Sequence, residues 1–231
     1  ETLTVFGQKV ETWERLDAEI KNVVVGKVLS MVRHPNSDHM WICQVDVGKD
    51  ALVQIVTGAQ NVHEGDLVPA ALHNSWLPGG VHITKGKLRG EVSGGMLCSF
   101  AELGLTQNDL PGVFADGIWI LNDEDCTVGE DINLVIGNDD TVVDFEITNN
   151  RPDCYSIIGL AREAAAAFGK PMRHHEPVVH GSGAGDIYDH LDVDVPATRL
   201  CNRYTSRMVA NVKIAPSPKW LRRRLRANGV R

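Results

Sequence analysis

Hydrophobic and polar positions change their rhythm twice along the 231-residue chain. From Val23 to about Ile136 the apolar residues come in short runs of period two, the spacing of half-buried strands. Met40–Val47 is the clearest: Trp41, Cys43, Val45 and Val47 fall on one face, Gln44 and Asp46 on the other. The same reading predicts strands over Val23–Val32, Leu52–Thr57, Asp66–Leu72, Val81–Leu88, Gly95–Cys98 and Gly117–Leu121. Turn chemistry separates them, as in His34-Pro35-Asn36-Ser37, Glu64-Gly65-Asp66 and Pro78-Gly79-Gly80. So many short strands within about 110 residues predict a small closed barrel of the oligonucleotide-binding (OB) kind.

Beyond Ile136 the pattern changes. Val142–Ile147 reads as a strand and Asn149-Asn150-Arg151-Pro152-Asp153 interrupts it. An Ala-rich helix then runs from about Tyr155 to Phe168, with apolar residues at 157, 160, 161, 164, 165 and 168 as its buried stripe and Gly169 and Pro171 as its stop. Gly181–Gly185 is a flexible connector by composition. A further strand is expected over Arg203–Ile214, followed by a helix with Ser217 as N-cap, Pro218 at its first position and Gly229 at its end. In that helix Trp220, Leu221 and Leu225 are expected to face inward and the arginines outward. Leu3–Ile20 is too short to form a domain alone and is expected to pack with the 140–195 segment. The fold class is therefore α+β and β-rich: an OB-fold barrel over 23–137, inserted in a small split α/β domain formed by 1–22 and 138–197. Residues 198–231 supply the first strand and helix of a following domain.

Composition narrows the function classes. With 43% hydrophobic and 23% charged residues the chain is neither collagen-like, coiled-coil nor disordered. The net charge of −7 hides two unlike parts: residues 199–231 hold ten Lys/Arg and no Asp or Glu, so residues 1–198 carry a net of −17. Such a split suggests a polyanion partner or a domain boundary. Cys43, Cys98, Cys126, Cys154 and Cys201 include no short-spaced pair for zinc or a redox dithiol, which suits a reducing cytoplasm. No apolar run reaches the ~20 residues of a membrane span. The chain opens on Glu1 and stops at Arg231 straight after a helix-like segment, and both ends are expected to be cuts in a longer protein.

The most informative local pattern is Thr84-Lys85-Gly86-Lys87-Leu88-Arg89-Gly90. In a single strand, period two places Lys85, Lys87 and Arg89 on one face, where three cations suit successive phosphates of a nucleic-acid backbone. The ordinary alternative is a solvated strand face. His34, His39, His174, His175, His180 and His190 lack metal-ligand spacing, and no metal site is expected. Ser93, Cys98 and Ser99 come with no cue naming a base, so no catalytic residue is expected. Asp123-Glu124-Asp125 and Asp139-Asp140 read as solvated loops, and Gly58-Ala59-Gln60-Asn61 lacks the Gly-Lys-Ser/Thr of a phosphate loop. Arg222–Arg226 suits either RNA or a solvated helix face.

Several ordered runs carry a resemblance. Val25-Gly26-Lys27-Val28, His34-Pro35-Asn36-Ser37-Asp38, Cys43–Gly48, Ile55–Asn61 and Lys87–Ser99 resemble the tRNA-binding barrel of the EMAP-II type. Asp144–Glu163, with its Asn-Arg-Pro-Asp segment, is similar to the stretch that comes after this barrel in β subunits of bacterial phenylalanyl-tRNA synthetases. Cys201-Asn202-Arg203-Tyr204 and Pro216–Leu221 resemble the start of the editing domain there. The resemblance covers nearly the whole chain and implies an N-terminal fragment of such a subunit, with 198–231 the truncated start of the editing domain. It implies a parent (αβ)₂ enzyme, a phenylalanine–tRNA ligase using ATP and Mg²⁺, whose α subunit holds the ligation site. Its β subunit hydrolyses mischarged tyrosyl-tRNA further downstream, so the fragment itself is expected to be inactive and without a cofactor. Asn150, Arg151, Pro152 and Asp153 are then structural, and Lys85, Lys87 and Arg89 are the tRNA-contact residues. His39 and Glu91 depart from the basic character of related barrels, since histidine is mostly uncharged at neutral pH. Two alternatives stay open: a structural or subunit-contact module with little tRNA affinity, and a stand-alone tRNA-binding protein.

Overall fold

The structure, a computed structural model, describes residues 1–174, 176–178, 180–181 and 185–230. His175 and most of the expected Gly-rich connector lie outside the described residues. A short helix α1 (Thr2–Val5) precedes strand β1 (Lys9–Arg15). Then come β2 (Lys21–Arg33), β3 (Trp41–Asp46), β4 (Val53–Thr57), β5 (Leu67–Leu77), β6 (Val81–Ile83), β7 (Gly86–Leu88), β8 (Glu91–Ser93) and β9 (Gly95–Leu97). Helix α2 (Ile132–Ile136), strand β10 (Thr141–Glu146) and helices α3 (Ile157–Ala167) and α4 (Lys219–Ala227) complete the described elements.

β2 to β6 and β9 form one antiparallel sheet in the order β4-β3-β2-β5-β6, with β9 also paired to β5. The sheet curls until its β4 edge meets the segment leading into β9. Gly94 N–H donates to the Gln54 carbonyl at 2.7 Å, Gln54 Nε2 donates to the Val92 carbonyl at 2.8 Å, and Ser93 Oγ accepts from Val56 N–H at 3.1 Å. These bonds cover groups that an open edge would leave unpaired. The barrel is nearly closed.

The run Val23-Val24-Val25 follows from β2 burying both of its faces. Val28, Cys43, Val45, Ile55, Val68, Ala70, Leu72 and Leu97 fill the barrel. On the outer side Val23, Val25 and Ala71 pack with Phe100, Leu103, Trp119, Leu121, Ile132 and Val135, so the 98–136 segment is a second layer laid against β2 and β5. The expected strand over Gly117–Leu121 is not one: that stretch is held by separate bonds, Trp119 N–H to the Cys98 carbonyl at 3.1 Å and Leu121 N–H to the Leu67 carbonyl at 2.8 Å. It closes the layer without a ladder.

β1 pairs antiparallel with β10 from Lys9 opposite Glu146 to Arg15 opposite Thr141, with a bulge between Val10 and Thr12. The bulge breaks the period of two, which is why β1 does not read as a strand in the sequence. α3 starts two residues later than its periodicity suggests, because the Ser156 hydroxyl accepts from Gly159 N–H and caps it. Its expected buried stripe is only half-covered, and Ile157 is 75% exposed. No strand forms over 203–214, because that stretch has no ladder partner among the described residues. α4 forms with Pro218, not Ser217, as its N-cap.

Candidate nucleic-acid interface

The expected cationic strand Val81–Leu88 is split in two. β6 ends at Ile83, and Gly86–Leu88 turns back on Glu91–Ser93 as the β7–β8 hairpin. Its two-residue turn is Arg89-Gly90, both in the left-handed region at φ 49° and 101°. That is the backbone of a hairpin turn whose twist matches its strands, and it is unusual for an arginine. Lys87 therefore sits in the first strand of the hairpin, Arg89 at its tip and Lys85 just before its root. The single-strand face is corrected to cations at the root, along the arm and at the tip. All three are exposed, and no ion pair among the described residues involves them.

An isolated two-stranded hairpin is marginal, so its attachment decides whether its cations have fixed positions. The His34-Pro35-Asn36 turn provides that attachment. His34 is only 3% exposed. Its Nδ1 accepts from Asn36 N–H at 3.0 Å and its Nε2 lies 3.0 Å from the Leu88 carbonyl, which assigns the Nε2–H tautomer. Asn36 Nδ2 donates to the Arg89 carbonyl at 3.3 Å, and Arg89 Nη1 donates to the Asn36 carbonyl at 3.4 Å. At the root, Lys85 N–H donates to His73 Nδ1 at 2.9 Å. His34 is thus a structural histidine serving the cationic hairpin.

Beside it lies a second group that sequence reading missed. Arg33 stands opposite Trp41 in the β2–β3 register, with its guanidinium carbon 3.8 Å from the indole centroid. Gln60 ties this pair to the neighbouring loop, accepting from Trp41 Nε1 at 3.4 Å and donating to the His39 and Gly58 carbonyls, each at 2.8 Å. Their contact depends on the β2–β3 register, which the sequence alone does not state.

The other candidates have structural duties. Ser93 closes the barrel, and Cys98 is fully buried with its thiol pushed up to about 12 by desolvation. Gly58–Asn61 ends in Asn61, whose amide brackets Ile118 by donating to its carbonyl at 2.8 Å and accepting from its N–H at 3.1 Å. Among the described residues no group of three or more His, Cys, Asp and Glu could hold a metal ion. Arg151 lies where Asn150-Arg151-Pro152-Asp153 turns into α3, paired with Asp153 at 2.8 Å and Glu163 at 2.7 Å. The Arg151 hydrogen bond holds the Asp153 carboxyl down to about 2. Gly159 makes this corner possible, since a Cβ there would lie 1.8 Å from the Asp153 carbonyl oxygen.

α4 reverses its expected orientation. Trp220 is 67% exposed, while Arg222, Arg223 and Arg226 turn toward the barrel layer. Lys219 pairs with Glu124, Arg222 with the Asp109 carbonyl, Arg223 with the Val135 carbonyl and Arg224 with Asp140. Carboxylates and helix-end carbonyls on that flank attract arginine more strongly than an indole. Glu124 and Asp140, expected in solvated loops, are partners of this helix.

Residues 23–116, which include the barrel strands and the hairpin, match the family described as "Putative tRNA binding domain". The barrel is similar to the tRNA-binding domains of this family. The similarity extends beyond it: the chain is 48% identical over 229 residues to the phenylalanine--tRNA ligase beta subunit of Clostridium acetobutylicum, covering 99% of this chain and 28% of that protein. The beta subunit of Clostridium tetani is 45% identical over 233 residues, again 99% of this chain and 28% of that one. The chain thus spans little more than a quarter of the length of these relatives and is similar to their N-terminal part. Among solved structures, the C-terminal domain of Plasmodium vivax p43 is matched with a TM-score of 0.34 and 22% identity over 49% of this chain and 59% of that one, too slight a likeness to argue from. No helix among the described residues is long and apolar enough to cross a membrane.

Proposed function

We propose that the chain is the non-catalytic tRNA-binding and architectural portion of a phenylalanyl-tRNA synthetase β subunit. The observation that carries this reading is an alignment of 229 residues at 48% identity, which takes in the barrel and both flanks. Residues 23–137 are then an OB-fold inserted in a split domain of 1–22 and 138–197, a division supported by β1 and β10 pairing across the whole barrel. Residues 198–231 open the editing domain. The parent is a cytoplasmic (αβ)₂ phenylalanine–tRNA ligase; its α subunit joins phenylalanine to tRNA with ATP and Mg²⁺, and no ligation step falls to the residues described.

Lys85, Lys87 and Arg89 contact backbone phosphates and read no bases. Their exposure, the absence of ion pairs among the described residues and the clamped hairpin support this. Asn150, Arg151, Pro152 and Asp153 hold the corner before α3. The test is the salt dependence of tRNA binding by the wild-type chain and the Lys85→Ala/Lys87→Ala/Arg89→Ala variant. Each phosphate contact contributes ~0.7–0.9 to the slope of log K against log salt, so the variant should lose roughly two to three units. An unchanged slope removes these residues from the interface.

A second reading, subunit contact, has its own support. Trp13 on β1 is 66% exposed and lies opposite half-exposed Val143, and Phe6 and Ile157 on the same flanking segments are exposed as well. Such an apolar surface on the flanking module suits a protein partner, for which the α subunit is the candidate. Loss of heterotetramer in a Trp13→Glu/Val143→Glu variant, with no tRNA shift by the wild-type chain at low salt, would favour this reading over the first.

A further inference from the structure

The Arg33–Trp41 pair has features that packing alone does not require. Trp41 is half-buried against the barrel interior, while Arg33 is exposed and forms no ion pair among the described residues. Arg33 is nevertheless fixed: the indole lies 3.8 Å beneath its guanidinium carbon, and Nη1 donates to the Asp38 carbonyl at 3.2 Å. The indole is fixed in turn by Gln60. An exposed arginine ordinarily keeps its rotamer freedom in solution, and here part of that freedom is already lost before any ligand arrives. What results is a flat, cationic surface with one side resting on an aromatic ring and the other toward solvent.

Its position gives it a ligand class. Arg33 directly precedes His34, whose ring holds the Leu88 carbonyl, and Asn36, which bonds the Arg89 backbone. The platform and the cationic hairpin are therefore joined by three residues of one turn. A strand of RNA held by its phosphates along Lys87 and Arg89 would bring its bases within reach of Arg33. Guanidinium planes and aromatic rings are the surfaces on which unpaired bases stack.

We infer that Arg33, supported by Trp41 and Gln60, is a stacking platform for an unpaired nucleobase of the bound RNA. The inference rests on the tRNA-binding reading above and adds to it: the hairpin carries backbone phosphates, and the platform selects RNA with an unstacked base beside them. It discriminates single-stranded from paired positions without reading sequence, since every base has a π-face.

The test compares two fluorescein-labelled RNAs, a stem closed by an unpaired loop and the same stem as a blunt duplex, binding to the 231-residue chain and to its Arg33→Ala and Arg33→Lys variants. Lysine keeps the charge and loses the plane, so both variants should bind the looped RNA roughly 10-fold more weakly, the size of one lost base stack. Arg33→Lys should bind the duplex within about twofold of wild type, as charge alone governs that contact. Replacing the loop nucleotides by abasic ones should bring wild type down to the level of the variants. Wild-type affinity of Arg33→Lys for the looped RNA, or equal binding of abasic and intact loops, overturns the platform while leaving phosphate binding by the hairpin in place. Failure of wild type to bind either RNA at low salt overturns the tRNA-binding reading and the platform with it.

Discussion

Replacing His34 by alanine should loosen the β7–β8 hairpin and destabilise the barrel together. The ring makes two hydrogen bonds, from Asn36 N–H and to the Leu88 carbonyl, both at 3.0 Å. Each contributes about 1 kcal/mol net, and the buried ring adds about 1 kcal/mol more through packing lost around it. The sum is about 3 kcal/mol, which for a chain of this size lowers the melting temperature by roughly 6–12 °C. His34→Gln, which can still accept at one end and donate at the other, should recover part of the loss. Circular-dichroism melts measure the global effect, and amide hydrogen exchange at Leu88, Glu91 and Ser93, which belong to the hydrogen-bonded pairs of the hairpin, measures the local one. The clamp requires those amides to exchange faster even where the rest of the barrel stays protected. A melt within about 1 °C of wild type, with unchanged exchange in the hairpin, would refute the reasoning.

Gly95 pairs with Leu72, and a Cβ there would lie 2.2 Å from the Ala71 carbonyl oxygen, so Gly95→Ala must push β9 off β5 and should cost about 2–3 kcal/mol in urea unfolding. Gly58→Ala meets nothing within 4 Å and is the matched control, expected to leave the midpoint in place. Asp153, held at about 2 by Arg151, lies below an ordinary carboxylate of about 3.9, so the corner's stabilisation is fully present above pH ~4 and lost as pH falls through about 2. A carboxyl-carbon NMR titration of Asp153 with its midpoint near 4 would show that the pair does not persist in solution. Cys43 and Cys98 are fully buried with thiols pushed up to about 11 and about 12, so a thiol reagent at pH 8 should leave both unmodified until denaturant is added, while the partly exposed Cys201 reacts first.

The barrel was readable wherever side chains alternate. β3 shows its buried face as Trp41, Cys43 and Val45, and β2 declares itself by an unbroken valine run because both of its faces are covered. Reading failed where tertiary bonding replaces periodicity. Gly117–Leu121 has strand-like composition but is held by single bonds to the chain around it, and the bulge in β1 hides a strand behind an irregular period. The hairpin is the instructive case. Lys85, Lys87 and Arg89 were found by their spacing, yet that spacing assumed one extended strand. The Arg89-Gly90 turn, with both residues at positive φ, folds the chain back instead, and the clamp that holds it comes from His34 and Asn36, some 50 residues earlier. Arg33 and Trp41 were invisible for a similar reason: their contact depends on the β2–β3 register, which one sequence does not state.

Net charge is a poor guide to where this chain could hold a polyanion, and the structure gives the reason. The basic character of residues 199–231 is partly neutralised within the molecule, because Lys219 and Arg222 to Arg226 include five cations of which each meets a carboxylate, amide or carbonyl oxygen of the barrel layer or the loop after α2. The acidic body, in turn, acts over a limited range: at physiological ionic strength charges more than about 8 Å apart are largely screened. A phosphate at the hairpin therefore responds to Lys87, Arg89 and Arg33 more than to a net of −17 spread over 198 residues. Raising the salt should weaken such a contact according to the few cations at the site, and not strengthen it by screening the acidic bulk. A rise in tRNA affinity with salt would mean that the bulk charge governs after all, and that the hairpin is an ordinary solvated edge.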